Sequence, residues 1–321
     1  MPIFDMPLEK MLVYEGSNPK PQDHEAYWER ALKEMHALGT DCDLAPADFK
    51  APGVSCFDLR FQGVGGATVY AKLLMPEGKE NCPALLRFHG YTGNSGDWMN
   101  YLAYAQAGFV VAALDCRGQG GKSEDVGGVF GNTMYGQIIR GLHDEDEDKL
   151  LMRAIFLDTA QLARIVMALP QVDEARVGAS GGSQGGGLTL ACASLEPRIR
   201  RLAPVYPFLT DYKRVWDMDL AVGAYKELRD YFRLFDPRHK REKEIYAKLG
   251  YIDVQHLAHR IKGETLMLTG LMDTVCPPST QFAAYNKIRA KKAHELWPDF
   301  GHENLPGAED MIWDFMKPLL G

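Results

Sequence analysis

The fold of this 321-residue chain is decided by one stretch, Arg176-Val-Gly-Ala-Ser-Gly-Gly-Ser-Gln-Gly-Gly-Gly-Leu-Thr-Leu-Ala191. A short apolar run leads into the stretch, a serine stands among glycines, and a segment of helical character follows. This is the strand–turn–helix context in which a G-x-S-x-G motif presents a serine on a tight turn. The residues two positions from that serine must be small, because a Cβ atom there would collide with the strand or helix packed against the turn.

Two windows fit the motif, one centred on Ser183 and one centred on Ser180. A turn at Ser183 leaves residues 176–179 free to form the preceding strand. A turn at Ser180 leaves almost no strand after the turn-like residues 171–174, so strand length favours Ser183. Because isolated matches occur by chance, an ordinary glycine-rich turn is the alternative until partners for the serine are found elsewhere.

Composition excludes several classes of protein. The chain is 46% hydrophobic and 10% aromatic, which is ample for a large buried core. Its net charge of −7 argues against nucleic acid or an anionic membrane as a partner. No apolar run is long enough to span a bilayer, and the first ten residues do not resemble a secretory signal, so we expect a cytoplasmic protein.

The six cysteines predict neither disulfides nor a metal site. They form no C-x-x-C pair and no Cys/His spacing typical of zinc; they are Cys42, Cys56, Cys82, Cys116, Cys192 and Cys276. We therefore expect reduced thiols, no metal ion and no organic cofactor.

The hydrophobic pattern predicts an α/β fold. A proline-containing arm and a helix at 23–38, capped by Asp23, precede an antiparallel hairpin at 57–62 and 68–74. Near-continuous apolar runs at 83–89 and 109–115 are typical of strands buried on both faces. Further strands alternating with helices then indicate a mostly parallel central sheet with helices on both sides. These elements are a helix at 99–107, a helix at 154–169, and strands at 199–205, 265–269 and 294–297, with helices at 280–289 and 308–320.

We expect one domain over residues 1–321. Residues 1–40 form its N-terminal arm and helix, residues 120–150 an inserted loop, and residues 210–260 a helical excursion that could cover the site. The inserted loop is longer than connectivity requires, which is typical of functional or interface loops.

The partners that an activated serine needs occur in the expected slots. A serine hydroxyl becomes nucleophilic when a histidine, oriented by a carboxylate, takes its proton. In α/β-hydrolases the order is serine, acid, histidine, with the last two on loops after late strands. Asp273 follows the strand at 265–269, and His302 lies between the last strand and the final helix. His89 is also at a strand end, but it precedes the serine.

An oxyanion hole requires two backbone N–H groups. One is expected from Gln184, directly after the nucleophile, and the other from Tyr91, in the loop after the strand at 83–89. Gly90 is expected to let the backbone turn tightly there. Arg117 is expected to order its own loop by pairing with an acid, and Asp158 is a possible partner.

Several motifs together resemble carbohydrate esterase family 7, the acetyl xylan esterase/cephalosporin C deacetylase family of α/β-hydrolases. The resemblance covers most of the chain; its motifs are Arg117-Gly-Gln119, Gly131-Asn-Thr133 with Arg140-Gly141, Phe156-Leu-Asp158, Gly181-Gly-Ser-Gln-Gly185, Gly270-Leu-Met-Asp273 with Cys276-Pro-Pro-Ser-Thr280, and His302-Glu303. The resemblance implies Ser183, Asp273 and His302 as catalytic triad, with Tyr91 and Gln184 as oxyanion donors. It also implies deacetylation of small acetylated sugars and a homohexamer.

The expected function is a serine esterase that deacetylates small substrates such as acetylated xylo-oligosaccharides and cephalosporin C. Tyr91 and the Tyr206-Pro-Phe208 segment, Phe208 in particular, are expected to wall a small acyl pocket. Two alternatives stay open: a peptidase of the prolyl-oligopeptidase type, which shares the fold and triad order, and a non-catalytic binding protein of the same fold.

Overall fold

The molecule is organised around a nine-stranded sheet in the part of the chain that the structure describes. The structure is a computed structural model, and it describes residues 4–128 and 136–321. The Gly131-Asn-Thr133 motif lies outside the described residues. The strand order is β1-β2-β3-β5-β4-β6-β7-β8-β9. The strands are β1 Cys42–Pro46, β2 Val54–Gln62, β3 Thr68–Pro76, β4 Cys82–Phe88, β5 Val110–Leu114, β6 Val172–Gly182, β7 Arg201–Val205, β8 Glu264–Gly270 and β9 Lys292–Trp297.

The sheet has an antiparallel beginning and a parallel remainder. Strands β1, β2 and β3 pair antiparallel with one another, and β3 joins β5 in the same sense. From β5 through β4 to β9 every pairing is parallel. This confirms the predicted mostly parallel sheet with an N-terminal antiparallel hairpin; β1 is an additional edge strand that the sequence pattern did not predict.

Helices connect the strands and cover both faces of the sheet. They are α1 Leu8–Met11, α2 His24–His36, α3 Met99–Ala107, α4 Leu151–Ala168, α5 Gln184–Leu195, α6 Tyr212–Asp217, α7 Lys226–Phe235, α8 Glu242–Leu249, α9 Pro278–Lys287 and α10 Ala308–Met316. The predicted helical excursion thus contains α6, α7 and α8, followed by three short 3₁₀ turns between Gly250 and Arg260. No helix of the described ranges is both long and apolar enough to cross a membrane.

The central strands are apolar along their whole length because successive side chains enter two different cores. In β4, Leu86 belongs to one hydrophobic cluster and its neighbour Leu85 to another. In β5, Ala112 and Val111 divide in the same way. Since side chains alternate across a strand, two clusters on one strand mean that both faces are buried.

Strand β6 differs from the sequence prediction at its beginning. Residues 171–174 were expected to form a turn, but the strand begins at Val172, which pairs with Cys82. The register then shifts, and the next paired residues are Ala84 and Val177. Residues 173–176 are therefore an irregular section within the strand, so the turn prediction was wrong.

The predicted helix at 23–38 is present as α2, but its predicted cap is not. Asp23 occupies the N-cap position without a side-chain capping bond, and its carboxylate instead accepts a hydrogen bond from the hydroxyl of Tyr251. The side chain of Asp23 thereby ties the start of α2 to the end of the helical excursion.

A buried histidine on α2 makes folding stability depend on pH. His24 is fully buried, its ring lies edge-on to His256 with ring centroids 5.8 Å apart, and neither ring nitrogen has a hydrogen-bond partner among the described residues. Burial is the main cause that lowers the pKa of His24 from 6.5 to about 4. Between pH 6.5 and pH 4 the His24 imidazole binds a proton in the unfolded chain but not in the folded one. The stability that is present above pH 6.5 is therefore lost as the pH falls toward 4.

Replacing His24 by phenylalanine is expected to flatten the acid limb of the stability profile. At about 1.4 kcal/mol per pH unit, His24 should lower the free energy of unfolding of the wild type by roughly 2 kcal/mol between pH 7 and pH 5. The variant has no such group and should keep this free energy. Urea unfolding at both pH values measures this difference. His36→Gln, at an exposed position of the same helix, is the matched control and should change the slope far less. Equal pH slopes in wild type and His24→Phe would contradict the assignment.

Candidate active site

Ser183 lies on a strained turn between β6 and α5. Its backbone has φ 58° and ψ −120°, in a region that costs a non-glycine residue about 1–3 kcal/mol. The turn is held by its own backbone: Ser183 N–H donates to Val205 C=O (3.0 Å), and Ser183 C=O accepts from the N–H of Gly186 (2.9 Å) and of Phe208 (3.0 Å). The serine is therefore fixed at the carboxyl edge of the sheet.

The flanking glycines are required by the close approach of β4. A Cβ atom on Gly181 would lie 2.5 Å from the carbonyl oxygen of Phe88, and one on Gly185 would lie 2.1 Å from the same oxygen. Both distances are far inside van der Waals contact with backbone that cannot move away. This confirms the steric expectation for the two residues at positions −2 and +2 from Ser183.

Ser180 is placed differently. It lies inside β6, is 1% exposed, and its hydroxyl donates to the carbonyl oxygen of Ala203 at 3.0 Å. Of the two serines considered from sequence, the structure brings Ser183 to the histidine.

Three side chains from distant parts of the chain form one hydrogen-bonded line. His302 Nε2 lies 3.0 Å from Ser183 Oγ, and His302 Nδ1 lies 2.8 Å from Asp273 Oδ2. A proton on Nδ1 donated to the carboxylate leaves Nε2 free to accept from the serine hydroxyl. The arrangement can take a proton from Ser183 and hold the resulting charge on the imidazole.

Asp273 is held rigidly in the loop after β8. Its Oδ1 accepts from the N–H groups of Val275 (2.8 Å) and Cys276 (2.7 Å), which leaves Oδ2 for His302. Met272 N–H donates to the carbonyl oxygen of Phe300 at 2.8 Å, so the loop after β8 runs alongside the loop that carries His302. The carboxylate is fully buried, which strengthens its interaction with the imidazole.

Asp273, Cys276 and His302 also lie close enough to be considered as metal ligands. Their ligand atoms all lie within 4.8 Å of one another. However, Asp273 Oδ2 and His302 Nδ1 already bind each other, and burial raises the pKa of the Cys276 thiol well above its usual range. Thiolate rather than thiol is the metal-binding form of cysteine, so this donor set suits proton transfer better than metal binding.

The two segments predicted to supply an oxyanion hole each begin just after a strand, Gln184 after β6 and Tyr91 after β4. Gln184 is the first residue of α5, and a helix leaves its first N–H groups without an intrahelical acceptor. Tyr91 is the second residue of a four-residue turn closed by Gly93 N–H donating to Gly90 C=O at 3.1 Å, so the turn does not use the N–H of Tyr91.

Side-chain amides tie these two segments together. Gln184 and Gln119 exchange two hydrogen bonds, at 2.8 and 3.0 Å between their amide nitrogens and oxygens. Gln184 Nε2 also lies 3.5 Å from the carbonyl oxygen of Gly90, at the limit of a hydrogen bond. The Arg117-Gly-Gln119 motif therefore contacts the elbow and, through it, the turn that carries Tyr91.

The expected role of Gly90 was wrong. Gly90 does not adopt a positive φ, and a Cβ atom there would meet nothing within 4 Å. The positive φ of this turn falls on Thr92, at 59°. A residue at the third position of such a turn takes this conformation, so the strain lies two residues further along than expected.

His89 has a structural role. Its Nε2 accepts from the N–H of Cys116 at 3.0 Å, and Nδ1 lies 2.7 Å from the carbonyl oxygen of Gly90. Because Nε2 accepts, the ring carries its proton on Nδ1, and burial, which lowers the pKa of His89, favours this neutral form. Both nitrogens are thus occupied, and His89 does not compete with His302.

Arg117 and Asp158 form the predicted ion pair. Two parallel bonds of 2.6 Å join Nε and Nη2 of Arg117 to the carboxylate of Asp158, and Nη1 donates to the carbonyl oxygen of Val64. Both side chains are almost completely buried. The pair anchors the loop after β5 to α4 and to the turn between β2 and β3.

The aromatic residues near the serine differ in exposure. Tyr206, directly after β7, has its ring centroid 4.6 Å from that of His302. Phe208 is fully buried, with centroids 5.3 Å from Tyr91 and 4.2 Å from Tyr225. Phe208 is therefore packed in the core between Tyr91 and Tyr225.

Sequence reasoning missed one residue of this region. Glu227 of α7 binds the hydroxyl of Tyr91, 136 residues earlier in the chain. Nothing local marks this glutamate, since it stands in a charged helix among other acids and bases.

The fold and the site define the class of protein. A serine elbow after the central strand, with an acid and a histidine following later strands in that order, is the arrangement of a serine hydrolase of the α/β-hydrolase fold. The family model for acetyl xylan esterase (AXE1) matches residues 1–319, and the chain belongs to this family.

Solved and curated relatives agree with the family. The chain is 58% identical to acetyl xylan esterase 1 from Thermoanaerobacterium sp. JW/SL YS485, with a TM-score of 0.97 over 99% of this chain and all of that one. It is 33% identical to an acetyl xylan esterase from Paenibacillus sp. R4, with a TM-score of 0.91 over 98% and 99% of the two chains. It is 26% identical over 284 residues to the acetyl esterase Axe7A of Xylanibacter ruminicola, covering 87% of this chain and 62% of that protein.

Proposed function

We propose that this chain is a serine acetylesterase that removes acetyl groups from acetylated xylo-oligosaccharides and from other small acetyl esters such as cephalosporin C. The observation that carries the proposal is the line of 3.0 and 2.8 Å contacts from Ser183 through His302 to Asp273. The family and the names of its members support the acetylated sugar as substrate.

In the first half of the proposed reaction, Ser183 Oγ attacks the acetyl carbonyl carbon while His302 Nε2 takes the hydroxyl proton. The tetrahedral intermediate collapses, the bond to the sugar oxygen breaks, and His302 returns the proton to that oxygen. The products are the free sugar hydroxyl and an acetyl group on Ser183.

In the second half, water takes the place of the sugar. His302 Nε2 accepts a proton from water, the hydroxide attacks the acetyl carbon, and the serine oxygen leaves with the proton from His302. Asp273 keeps the imidazole in one tautomer and stabilises its charge in both halves. The N–H groups of Gln184 and Tyr91 stabilise the oxyanion of each tetrahedral intermediate.

A preference for acetyl over longer acyl groups is expected. The ring of Tyr206 contacts His302, and Phe208 packs on Tyr91 of the neighbouring turn, so these three aromatic residues are proposed to wall the acyl pocket. Forcing a longer acyl group of the ester into such a small pocket costs on the order of 1–3 kcal/mol, or roughly 5- to 150-fold in rate. Hydrolysis of acetyl, butyryl and octanoyl esters of one alcohol by the purified protein measures the profile.

The same panel separates the alternatives. Phe208→Leu, which keeps an apolar side chain at this buried position, is expected to weaken the preference, whereas Phe315→Leu on α10, which stacks on Arg201, should leave it unchanged. Equal turnover of acetyl and octanoyl esters would contradict a small acyl pocket. Faster cleavage of aminoacyl amides than of acetyl esters would point to a peptidase, and no turnover of either would indicate a binding protein.

We further propose that residues 1–321 act as one domain, that the chain assembles into a homohexamer, and that it resides in the cytoplasm. The six cysteines are all free thiols, which suits a reducing compartment. Exposed apolar side chains, Val126 in the inserted loop and Leu12 and Val13 in the N-terminal arm, support contacts between subunits.

Light scattering is expected to give about six times the 35.8 kDa of the single chain. Closed homo-oligomers bury apolar surface that a monomer would expose. Val126→Asp should shift the equilibrium toward smaller species, and Met311→Asp, at another exposed apolar position, serves as control. A monomer at micromolar concentration would contradict the proposal.

A further inference from the structure

Glu227 connects the predicted oxyanion turn with two other parts of the molecule. It belongs to α7, is only 4% exposed, and accepts a hydrogen bond from the hydroxyl of Tyr91. The same carboxylate accepts from the N–H groups of Ile138 (2.8 Å) and Ile139 (3.0 Å) in the inserted loop. One side chain of the helical excursion thus binds both the Tyr91 turn and the inserted loop.

Tyr91 completes the arrangement. Its hydroxyl oxygen, while donating to Glu227, accepts from the N–H of Gln137 at 2.8 Å. The tyrosine and the glutamate together bind three consecutive N–H groups, those of residues 137–139. Gly136 allows the approach, since a Cβ atom there would lie 2.3 Å from Glu227 Oε2.

The site requires a group that only accepts hydrogen bonds. Every neighbour that bonds to Glu227 is a donor, and no lysine or arginine lies within ion-pair distance of it in the described residues. Burial is the main cause that raises the pKa of Glu227 to about 7, while Tyr91 and the backbone donors lower it. Burying a carboxyl group without a cationic partner costs desolvation free energy that an apolar side chain would not cost. This points to a role for Glu227 beyond stability.

Tyr91 links Glu227 to the proposed oxyanion hole. Tyr91 carries the phenol that Glu227 binds and the backbone N–H proposed for the oxyanion hole. Its ring is also packed on Phe208, so fixing the hydroxyl leaves the ring and its Cα little freedom to move. The next residue, Thr92, has a strained φ of 59°, so the turn depends on such contacts to keep its shape.

We propose that Glu227 is a positioning residue for the oxyanion hole: by binding the Tyr91 hydroxyl it fixes the direction of the Tyr91 N–H, and by binding residues 138 and 139 it couples that turn to the inserted loop. The proposal rests on the proposed esterase function. It assigns to the helical excursion an effect on catalysis without direct contact with substrate.

The test compares Glu227→Gln, Tyr91→Phe and the double variant with the wild type on an acetyl ester. Because an oxyanion hole acts on the transition state, kcat should fall by about 10- to 100-fold in each single variant while KM changes less than about twofold. The double variant should lose much less than the product of the two single losses, since both changes break the contact between Tyr91 and Glu227. A boronic acid that mimics the tetrahedral intermediate should lose affinity in parallel with kcat.

Asp230→Asn on the same helix is the matched control. Its carboxylate is partly exposed and pairs with Lys226, so the variant loses the same charge away from Tyr91 and should keep its kcat. If Glu227→Gln does not fold, Tyr91→Phe alone decides. Folded variants with wild-type kcat and boronate affinity, whatever their melting temperature, would overturn the proposal. Loss of kcat in Glu227→Gln that adds fully to that of Tyr91→Phe would also overturn it. Failure of the esterase proposal itself is seen separately, as activity that survives replacement of Ser183.

Discussion

Replacing Ser183 by alanine is expected to reduce kcat for acetyl-ester hydrolysis by on the order of 10⁵-fold or more. The hydroxyl is the proposed nucleophile, and among the described residues no other hydroxyl hydrogen-bonds to His302 Nε2. What remains should be hydrolysis by water helped only by the oxyanion N–H groups. Initial rates of acetate release at saturating ester measure the effect.

Ser180→Ala is the matched control, because it makes the same chemical change three residues earlier. Ser180 is buried in β6 and donates to Ala203 C=O, so the variant should lose about 1 kcal/mol of stability and keep most of its activity. An inactive, folded Ser180→Ala together with an active Ser183→Ala would reverse the assignment of the elbow.

Asp273→Asn is expected to give the second largest loss, about 10⁴-fold in kcat. The backbone donors at Val275 and Cys276 occupy Oδ1, so the amide nitrogen of the variant would face His302. An N–H donor there favours the imidazole tautomer with its proton on Nε2, which cannot accept from Ser183. The same acetate-release assay measures this loss, and the fold should be preserved because the two side chains are nearly isosteric.

Asp299→Asn tests whether the loss of any negative charge near His302 is sufficient to lower kcat. Asp299 is exposed and lies three residues before His302, but it does not bind the imidazole in the structure. It should keep near-normal activity. A variant at Asp273 that retains more than about one tenth of the wild-type kcat would contradict the role given to this carboxylate.

The central strands could be predicted because a strand buried on both faces is apolar at nearly every position of its sequence. In β4 and β5 almost every residue is apolar, since successive side chains enter two different cores. Edge strand β1 has no such apolar run. It pairs with β2 alone, none of its five residues is fully buried, and it ends in a proline. Its existence depends on a neighbour and not on its own pattern.

The triad could be predicted because each member follows a strand in a fixed order. Glu227 could not, because its role arises from a contact between a helix and a turn that lie 136 residues apart. Gly90 shows the opposite error: a glycine in a tight turn suggests conformational need, but the left-handed position of this turn is occupied by Thr92. Local composition indicates that a turn occurs without fixing which residue carries the strain.

Labelling the wild-type protein with a fluorophosphonate, while following acetate release from acetylated xylo-oligosaccharides, tests whether Ser183 is the nucleophile. Such a reagent forms a stable bond with a serine activated by a neighbouring base. The predicted result is one label per chain, on Ser183 in the peptide mass spectrum, with activity lost in proportion to labelling. Full labelling of Ser183 with acetate release unchanged, or inactivation with the label on another residue, would show that Ser183 is not the nucleophile.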